Sequence, residues 1–372
     1  AHMADVPGVL KNSIFKQRSD IFVAGGVVLV VMMMIIPLPT VLLDILMTFN
    51  LLLSLLIILI VLYTKQALEF SVFPTILLVS TVFGLALNVS STRLILGQGS
   101  EFDGRIVRAF SGFVVGSSGL QGIIIGFIIF IIIIAVQFIV ITKGATRVAE
   151  VAARFTLDAL PGRQMAIEAE YNSGAISEEV ATKKKNDLQK QVDFYGSMDG
   201  ASKFVSGNVK IGILITLINM VGGIVVGMTV HGETIDVALN SYITLAIGDG
   251  LVTQFPALLI STATGIIVTR AISDGTFGSD VTTQFSGQAR VYWIGSVFLL
   301  VLAFLPGFPW YVLIPMAGLT GFLAFRLSRK QAAVERAEYV QEEAEKASPA
   351  QAEMSPVVPL DPLSLELGYG LI

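Results

Sequence analysis

Residues 119–141 read GLQGIIIGFIIFIIIIAVQFIVI, and the chain then turns abruptly polar at Thr142-Lys143-Gly144. A helix needs roughly 20 apolar residues to cross a bilayer, so this run is long enough to span one. Hydrocarbon offers the backbone no hydrogen-bond partner, which leaves a helix as the natural form for such a segment. Working outward, three apolar runs precede it, at 21–38, 41–63 and 72–87. Four follow the polar block, at 211–230, 242–268, 291–305 and 310–325. The sequence therefore predicts an all-α polytopic membrane protein of about eight transmembrane helices, with a small helical water-facing insert between the fourth and fifth. The expected divisions are 1–20, 21–142, 143–208, 209–326 and 327–372: an N-terminal segment, four spans, the insert, four spans, and a linker that leads toward a further domain.

Composition agrees with the class. Hydrophobic residues make up 54% of the chain and charged ones only 14%, and mean hydropathy is +0.78; soluble domains carry about 25% charged residues. A net charge of -4 without a continuous basic patch argues against nucleic acid as a partner. With no cysteine and only His2 and His231, no thiolate or histidine-based metal site can be assembled. No Gly-x-x-x-x-Gly-Lys-Ser/Thr loop and no Ser/His/Asp set is present, so neither an enzyme nor a cofactor is expected. Ala1-His2 ahead of Met3 reads as a cloning remnant, and the polar 5–20 segment is not expected to be a cleavable leader.

Lys and Arg set the orientation. An N-terminus inside places Lys11, Lys16, Arg18, Lys65, the 143–210 block, Arg270, Arg290, Arg326, Arg329 and Lys330 in the cytoplasm, with both termini there, and leaves 231–241 outside without a Lys or Arg. The 91–112 loop disagrees, since Arg93, Arg105 and Arg108 fall outside. Either it lies along the interface as an amphipathic segment, or its arginines turn back into the protein. Pro39-Thr40 should turn the first two spans into a hairpin, and Pro306-Gly307 the last two. Gly122-x-x-x-Gly126 and Gly223-x-x-x-Gly227 permit close helix approach, within the chain or between subunits of a ring.

Inside the polar block, Ser177 followed by Glu178 and Glu179 predicts a helix start. Glu179 and Lys183 share a face, and the helix is expected to stop near Gly196. An upstream helix over 144–157 should be broken by Pro161-Gly162. Lys183-Lys184-Lys185 reads as a solvated surface. Phe194 to Phe204, with its aromatics and an Asp199–Lys203 pair at helical spacing, predicts packing at the membrane edge instead.

Three stretches carry a resemblance: Ala153-Arg154-Phe155-Thr156-Leu157-Asp158-Ala159-Leu160-Pro161-Gly162-Arg163-Gln164-Met165-Ala166-Ile167, then Phe194 to Phe204, then Ile247-Gly248-Asp249-Gly250-Leu251-Val252-x-Gln254-x-Pro256-Ala257-Leu258-Leu259. Together they resemble the FlhA/SctV (FHIPEP) family, export-gate membrane proteins of flagellar and injectisome type III secretion. The 193–204 and 365–372 stretches are more similar to the flagellar branch than to the injectisome one. The resemblance implies a component of the bacterial inner membrane, a ring homo-oligomer of nine subunits, beside other export-gate membrane proteins. It also implies a missing cytoplasmic domain that meets the export ATPase complex and cargo. Gln331 to Pro362 looks like the linker to that domain. Within the motif block, the resemblance marks Arg154, Asp158, Pro161, Gly162 and Gln164 for partner contact.

Charged groups at bilayer depth cost about 2.5–3.5 kcal/mol on insertion scales, so they tend to line cavities and ion paths. Asp249, between Gly248 and Gly250, is the foremost such group, with glycines that give it room to meet water and Gln254 little more than a turn away. The alternative is a buried, hydrogen-bonded Asp between helices. Asp44 reads as interfacial, Asn50 and Ser54 as a polar stripe, and His231 as an exposed imidazole at an outer loop edge. The resemblance implies coupling to protons or sodium, and its linked charges carry over as Arg93, Lys203 and Asp249. Relatives have an acid where this chain has Asn208, and Asn exchanges no proton near neutral pH. Either coupling relies on Asp199 and Asp249, or it differs in ion or mechanism, or position 208 has been altered. Two rivals come from other classes: an ion-coupled small-molecule transporter, which usually shows two related halves not seen here, and a scaffold that conducts nothing.

Overall fold

An apolar backbone must satisfy its own amides, and the long apolar runs among the described residues do so as helices. The computed structural model describes residues 24–116, 119–270, 275–305 and 309–347, and no strand occurs among them. In order the helices are α1 (Ala24–Ile35), α2 (Thr40–Tyr63), α3 (Phe73–Gln98), α4 (Arg105–Val115), α5 (Gly119–Ala135), α6 (Lys143–Asn172), α7 (Glu178–Thr229), α8 (Ile235–Thr269), α9 (Phe277–Ser286), α10 (Ala289–Ala303) and α11 (Trp310–Ala347). Among the described residues six helical stretches are long and apolar enough to cross a membrane, and seven if the pair α9–α10, bent by 71°, counts as one. The all-α polytopic class holds, while the expected count of eight is not confirmed; the first expected span is described only over its twelve-residue part α1. The 1–20 segment, the Pro306-Gly307 turn and the 365–372 motif lie outside the described residues.

The chain divides into two units, one up to Gly278 and one from Ser279. In the second, α10 and α11 pair closely: Ser296 Oγ donates to the Ala317 carbonyl at 2.8 Å, and Gly321 faces Ser296. Helix α11 runs on to Ala347, so the first half of the expected linker is helical. Its Ala, Glu, Lys and Arg residues are strong helix formers.

In the first unit the water-facing insert is a helical hairpin. Helix α6 continues from α5 through a π-helical stretch, Val136–Thr142, without a break. Gly174 takes the left-handed conformation of the turn (φ 74°), and Ser177 caps α7 by accepting from the Val180 amide at 3.4 Å. The two arms are antiparallel: Lys184 pairs with Glu170, Lys185 with Glu168 at 3.1 Å, and Arg163 donates to Gln191 Oε1 at 2.8 Å. Two of the three consecutive lysines thus bind across the hairpin rather than forming a bare solvated face.

Two expected breaks are absent. Pro161 sits inside α6, which runs through to Asn172. Proline removes one amide and opposes the carbonyl four residues back, but that carbonyl belongs to exposed Leu157, and the antiparallel arm pairs with α6 beyond the proline. Nor does α7 stop at Gly196. It runs 52 residues into the membrane span, because Phe194, Met198, Ala201 and Val205 bury one face against Ile57 and Val61 of α2, Phe73 and Leu77 of α3, Ala149 of α6, and Ile260 and Ile267 of α8. The predicted packing at the membrane edge is this cluster.

The anomalous arginines also find an account. Helix α3 extends past the expected end at Leu87 because its polar residues Asn88, Ser90 and Ser91 are buried among neighbouring helices. Arg93 then reaches the end of α1, donating to the carbonyls of Ile35 (2.7 Å) and Met34 (3.3 Å), which have no partner within their own helix. Arg108 donates to the carbonyls of Phe102 (2.7 Å) and Ser100 (3.0 Å). Both guanidiniums turn back onto the backbone, and α4, which carries Arg108, is the amphipathic segment, with Val107, Ser111 and Val115 buried. Asp44 is more than interfacial: its carboxylate accepts from the Arg105 amide at 3.0 Å and the Ile106 amide at 3.2 Å, serving as the cap of α4 from a distant helix.

Replacing Asp44 with Ala strands two amides and removes an anion from the positive end of α4. The expected loss is about 1 kcal/mol, read as a lower unfolding midpoint in detergent, with Asp44→Asn losing less because its amide oxygen still accepts.

Candidate functional site

The face of α7 that looks into the bundle repeats at three and four residues: Ser202, Val205, Val209, Gly212, Thr216, Asn219, Gly223 and Gly227 are all buried. Small and polar side chains at this spacing let α3 and α8 approach closely and leave hydrogen-bonding groups in the seam. Against it stand Asn88 and Ser91 of α3 and Asp249 and Gln254 of α8, every one buried.

Asp249 is completely buried. Its Oδ2 accepts from Asn219 Nδ2 at 3.1 Å, and the Ser91 hydroxyl is its other side-chain neighbour. Oδ1 has no hydrogen-bond partner among the described residues, nor has Asn219 Oδ1. One turn toward the hairpin, Thr253 donates to the Asp249 carbonyl at 3.0 Å and lines a cavity of about 20 Å³ with Gly84, Asn88, Asn208, Val209, Gly212, Gln254 and Ala257. A single water needs about 10–15 Å³ and two to four polar partners, which Asn88, Asn208 and Gln254 can supply. Gln137 of the π-helical stretch closes this level from the far side, donating to the Gln254 carbonyl at 3.0 Å.

Gly248 and Gly250 do not give the carboxyl open space. A β-carbon on Gly248 would strike the Val107 carbonyl and come within 2.9 Å of Ser111, and one on Gly250 would meet the Phe130 ring at 2.7 Å. Their task is to admit α4 and α5 against α8, so the glycines that flank the acid bury it.

The site residues expected from sequence do not form one cluster. Lys203 Nζ donates to Asp199 Oδ2 at 2.7 Å in the polar half of α7, where that hydrogen bond holds the ammonium pKa above the usual lysine value. Sixteen residues, about 24 Å of helix rise, separate Lys203 from Asn219. Arg93 serves α1, as above. Arg154 and Asp158 face each other at 3.9 Å on the exposed side of α6, in line with Pro161, Gly162 and Gln164, and Phe155 and Met165 stand exposed beside them. Asn208 joins Asp249 only through the shared seam. Sequence reading missed Asn219, Asn88 and Gln137; a lone amide inside an apolar run was the available signal for each.

A bundle of long apolar helices with a charged helical hairpin at one end and a carboxyl in its dry seam defines a polytopic membrane protein with an internal ionisable site. Residues 30–372 match the FHIPEP family, and the chain belongs to it. It is similar to the flagellar biosynthesis protein FlhA of Borreliella burgdorferi, 60% identical over 368 residues that cover 97% of this chain and 53% of the relative. The corresponding protein of Treponema pallidum is 55% identical over 95% of this chain and 51% of its own length, and that of Escherichia coli is 45% identical over 100% and 53%. The chain thus spans about half the length of the curated relatives it matches. No solved structure matches it.

Substituting Gly248 with Ala forces α4 away from α8 and is expected to cost about 1–3 kcal/mol. Gly265→Ala on the same helix, where a β-carbon meets nothing within 4 Å, serves as the control, and comparing the two unfolding midpoints checks the assignment.

Proposed function

We propose that this chain is the membrane half of a flagellar protein-export gate in the bacterial inner membrane, one that couples the proton motive force to the export of unfolded subunits. The observation that carries the reading is Asp249, wholly buried with one oxygen held by Asn219 and the other unpartnered. A carboxyl kept at bilayer depth at a cost of about 2.5–3.5 kcal/mol or more is one retained for a role. Family membership and the names of the relatives support the flagellar setting.

In this reading both termini and the 143–208 hairpin face the cytoplasm, and 327–372 leads to the domain that meets the export ATPase complex and cargo. The chain assembles with copies of itself, as a nonameric ring, and with other export-gate membrane proteins. Asp249 binds the ion, and the 199–203 pair anchors the hairpin that moves in response. Asn208 exchanges no proton and holds water beside Asn88 instead. Arg93 contributes by fixing α1. The exposed motif face with Arg154, Asp158, Pro161, Gly162 and Gln164 is a contact surface for partners. One proton crossing ~100 mV releases about 2.3 kcal/mol, so several ions accompany each exported segment.

Asp249→Asn should abolish export while the assembly still forms, and should remove proton flux from liposomes loaded with a pH dye. Normal export in that variant rules Asp249 out of the mechanism. Lost export with unchanged flux assigns the residue to a scaffold.

A further inference from the structure

The seam is built differently on the two sides of Asp249. Toward the hairpin it is polar, with Thr216, Asn88, Gln254 and the one-water cavity. Away from the hairpin, α7 offers only Gly223 and Gly227 at the next two positions of its stripe, which leaves a slot between α7 and α8. The Tyr242 ring fills that slot. A β-carbon on Gly223 would overlap the ring, and one on Gly227 would meet it at 2.5 Å. Tyr242 stands seven residues before Asp249 on α8, two turns along the same face and about 10 Å distant, and its side chain is fully buried.

The far end of the ring is held by a second set of groups. A β-carbon on Gly99, itself at φ 60°, would fall 2.7 Å from the Tyr242 hydroxyl, 3.3 Å from Glu233 Oε1 and 3.3 Å from the His231 ring, so the three side chains close around one glycine. The turn that carries His231 and Glu233 is tied on both sides. The Glu233 amide donates to the Gly227 carbonyl at 2.9 Å, Oε1 accepts from the Ser100 amide at 3.3 Å, and the His231 ring lies 3.3 Å from the Leu96 carbonyl. Yet the Tyr242 hydroxyl and Glu233 Oε2 are buried with no hydrogen-bond partner among the described residues. A buried, fully static contact would normally satisfy both groups. No protein hydrogen bond among the described residues therefore ties down the hydroxyl end of the ring.

We propose that Tyr242 is the gate that closes Asp249 off from the side of the membrane opposite the hairpin. The inference rests on the reading of Asp249 as the ion-binding group and adds the residue that controls access to it. Gly223 and Gly227 make room for the ring. Withdrawal of Tyr242 would open a slot lined by glycine that leads straight to the Asp249–Asn219 pair. With the ring in place, polar groups adjoin the carboxyl on the hairpin side alone. A carrier that must not leak needs such an asymmetric arrangement.

The chain contains no cysteine, so one introduced thiol reports access unambiguously. Asp249→Cys in sealed proteoliposomes is treated with a small membrane-impermeant cationic thiol reagent on the face opposite the hairpin, a separate Lys183→Cys protein reporting which face each preparation presents. With Tyr242 present the thiol should react slowly. Tyr242→Ala should raise the rate at least tenfold, and Tyr242→Phe, which keeps the ring, should stay within about threefold of the starting rate. If Tyr242→Ala fails to fold, Tyr242→Val decides the matter, with a several-fold rise expected from the smaller side chain in the slot. Fast labelling with Tyr242 intact, or equal rates with and without the ring, overturns the gate. Because the Asp249→Cys protein has lost the ion-binding carboxyl, this readout is independent of coupling, which the flux comparison of the unaltered chain with Asp249→Asn tests separately.

Discussion

The arrangement depends on the continuity of α7. One uninterrupted helix carries the hairpin arm at its start, the Phe194–Val205 packing face at the membrane edge and Asn219 at bilayer depth. From Met198 to Asn219 is 21 residues, about 32 Å along the axis. Sharp kinks in helices arise at identifiable causes such as proline, and α7 has no proline between these points, so the two ends of this stretch belong to one continuous helix. Gly196, Gly200 and Gly207 lie on this rod and could have interrupted it. Burial of Phe194 and Met198 makes continuation more favourable than a break, since a large buried side chain contributes about 1.5–3 kcal/mol against about 1 kcal/mol for a helical glycine.

Helix α8 supplies the second arm. Its middle holds Asp249 and its last turns, Ile260 to Val268, enter the same cluster as the hairpin base. Asp249 and the hairpin are therefore joined twice, through Asn219 on α7 and through α8 itself. Gly248 and Gly250 set the spacing of this bundle by letting α4 and α5 come against α8. Close packing of that kind is intolerant of intermediate positions, which favours a few discrete arrangements over continuous deformation.

Much of the architecture is legible in the sequence, and the misses have common causes. Apolar run length located most of the membrane helices though not their expected number, and the Ser177-Glu178-Glu179 cap located the start of α7. Pro161, Gly162 and Gly196 misled, because local punctuation is weighed in sequence reading without the tertiary partner that overrides it. The 91–112 loop offered two readings, and both are partly realised: α4 is amphipathic, while Arg93 and Arg108 turn inward to carbonyls that sequence cannot pair with them. At the site, Asp249 stands out because charge in an apolar run is conspicuous. Asn219, its partner 30 residues earlier, does not, since one amide in a span costs far less and signals weakly. Neutral glycines beside an acid were taken as freedom for the acid, when their role is contact with a neighbouring helix.

A signal of one ion is small, and the structure bears on how it could still act. About 2.3 kcal/mol per proton at ~100 mV shifts a two-state population by roughly fifty-fold, at about 1.4 kcal/mol per factor of ten. That suffices only if the two states differ at the carboxyl and little energy is dissipated elsewhere. Protonating Asp249 changes what its oxygens can do: the ionised group only accepts, whereas the neutral one can also donate. Asn219 Oδ1, unpartnered and on the adjoining helix, is an acceptor placed to register that change. A donor gained at Asp249 thus meets an acceptor on the rod that leads to the hairpin, so the proposed coupling requires only a reorganised pair of side chains in the seam and the stiffness of the helix that bears one of them.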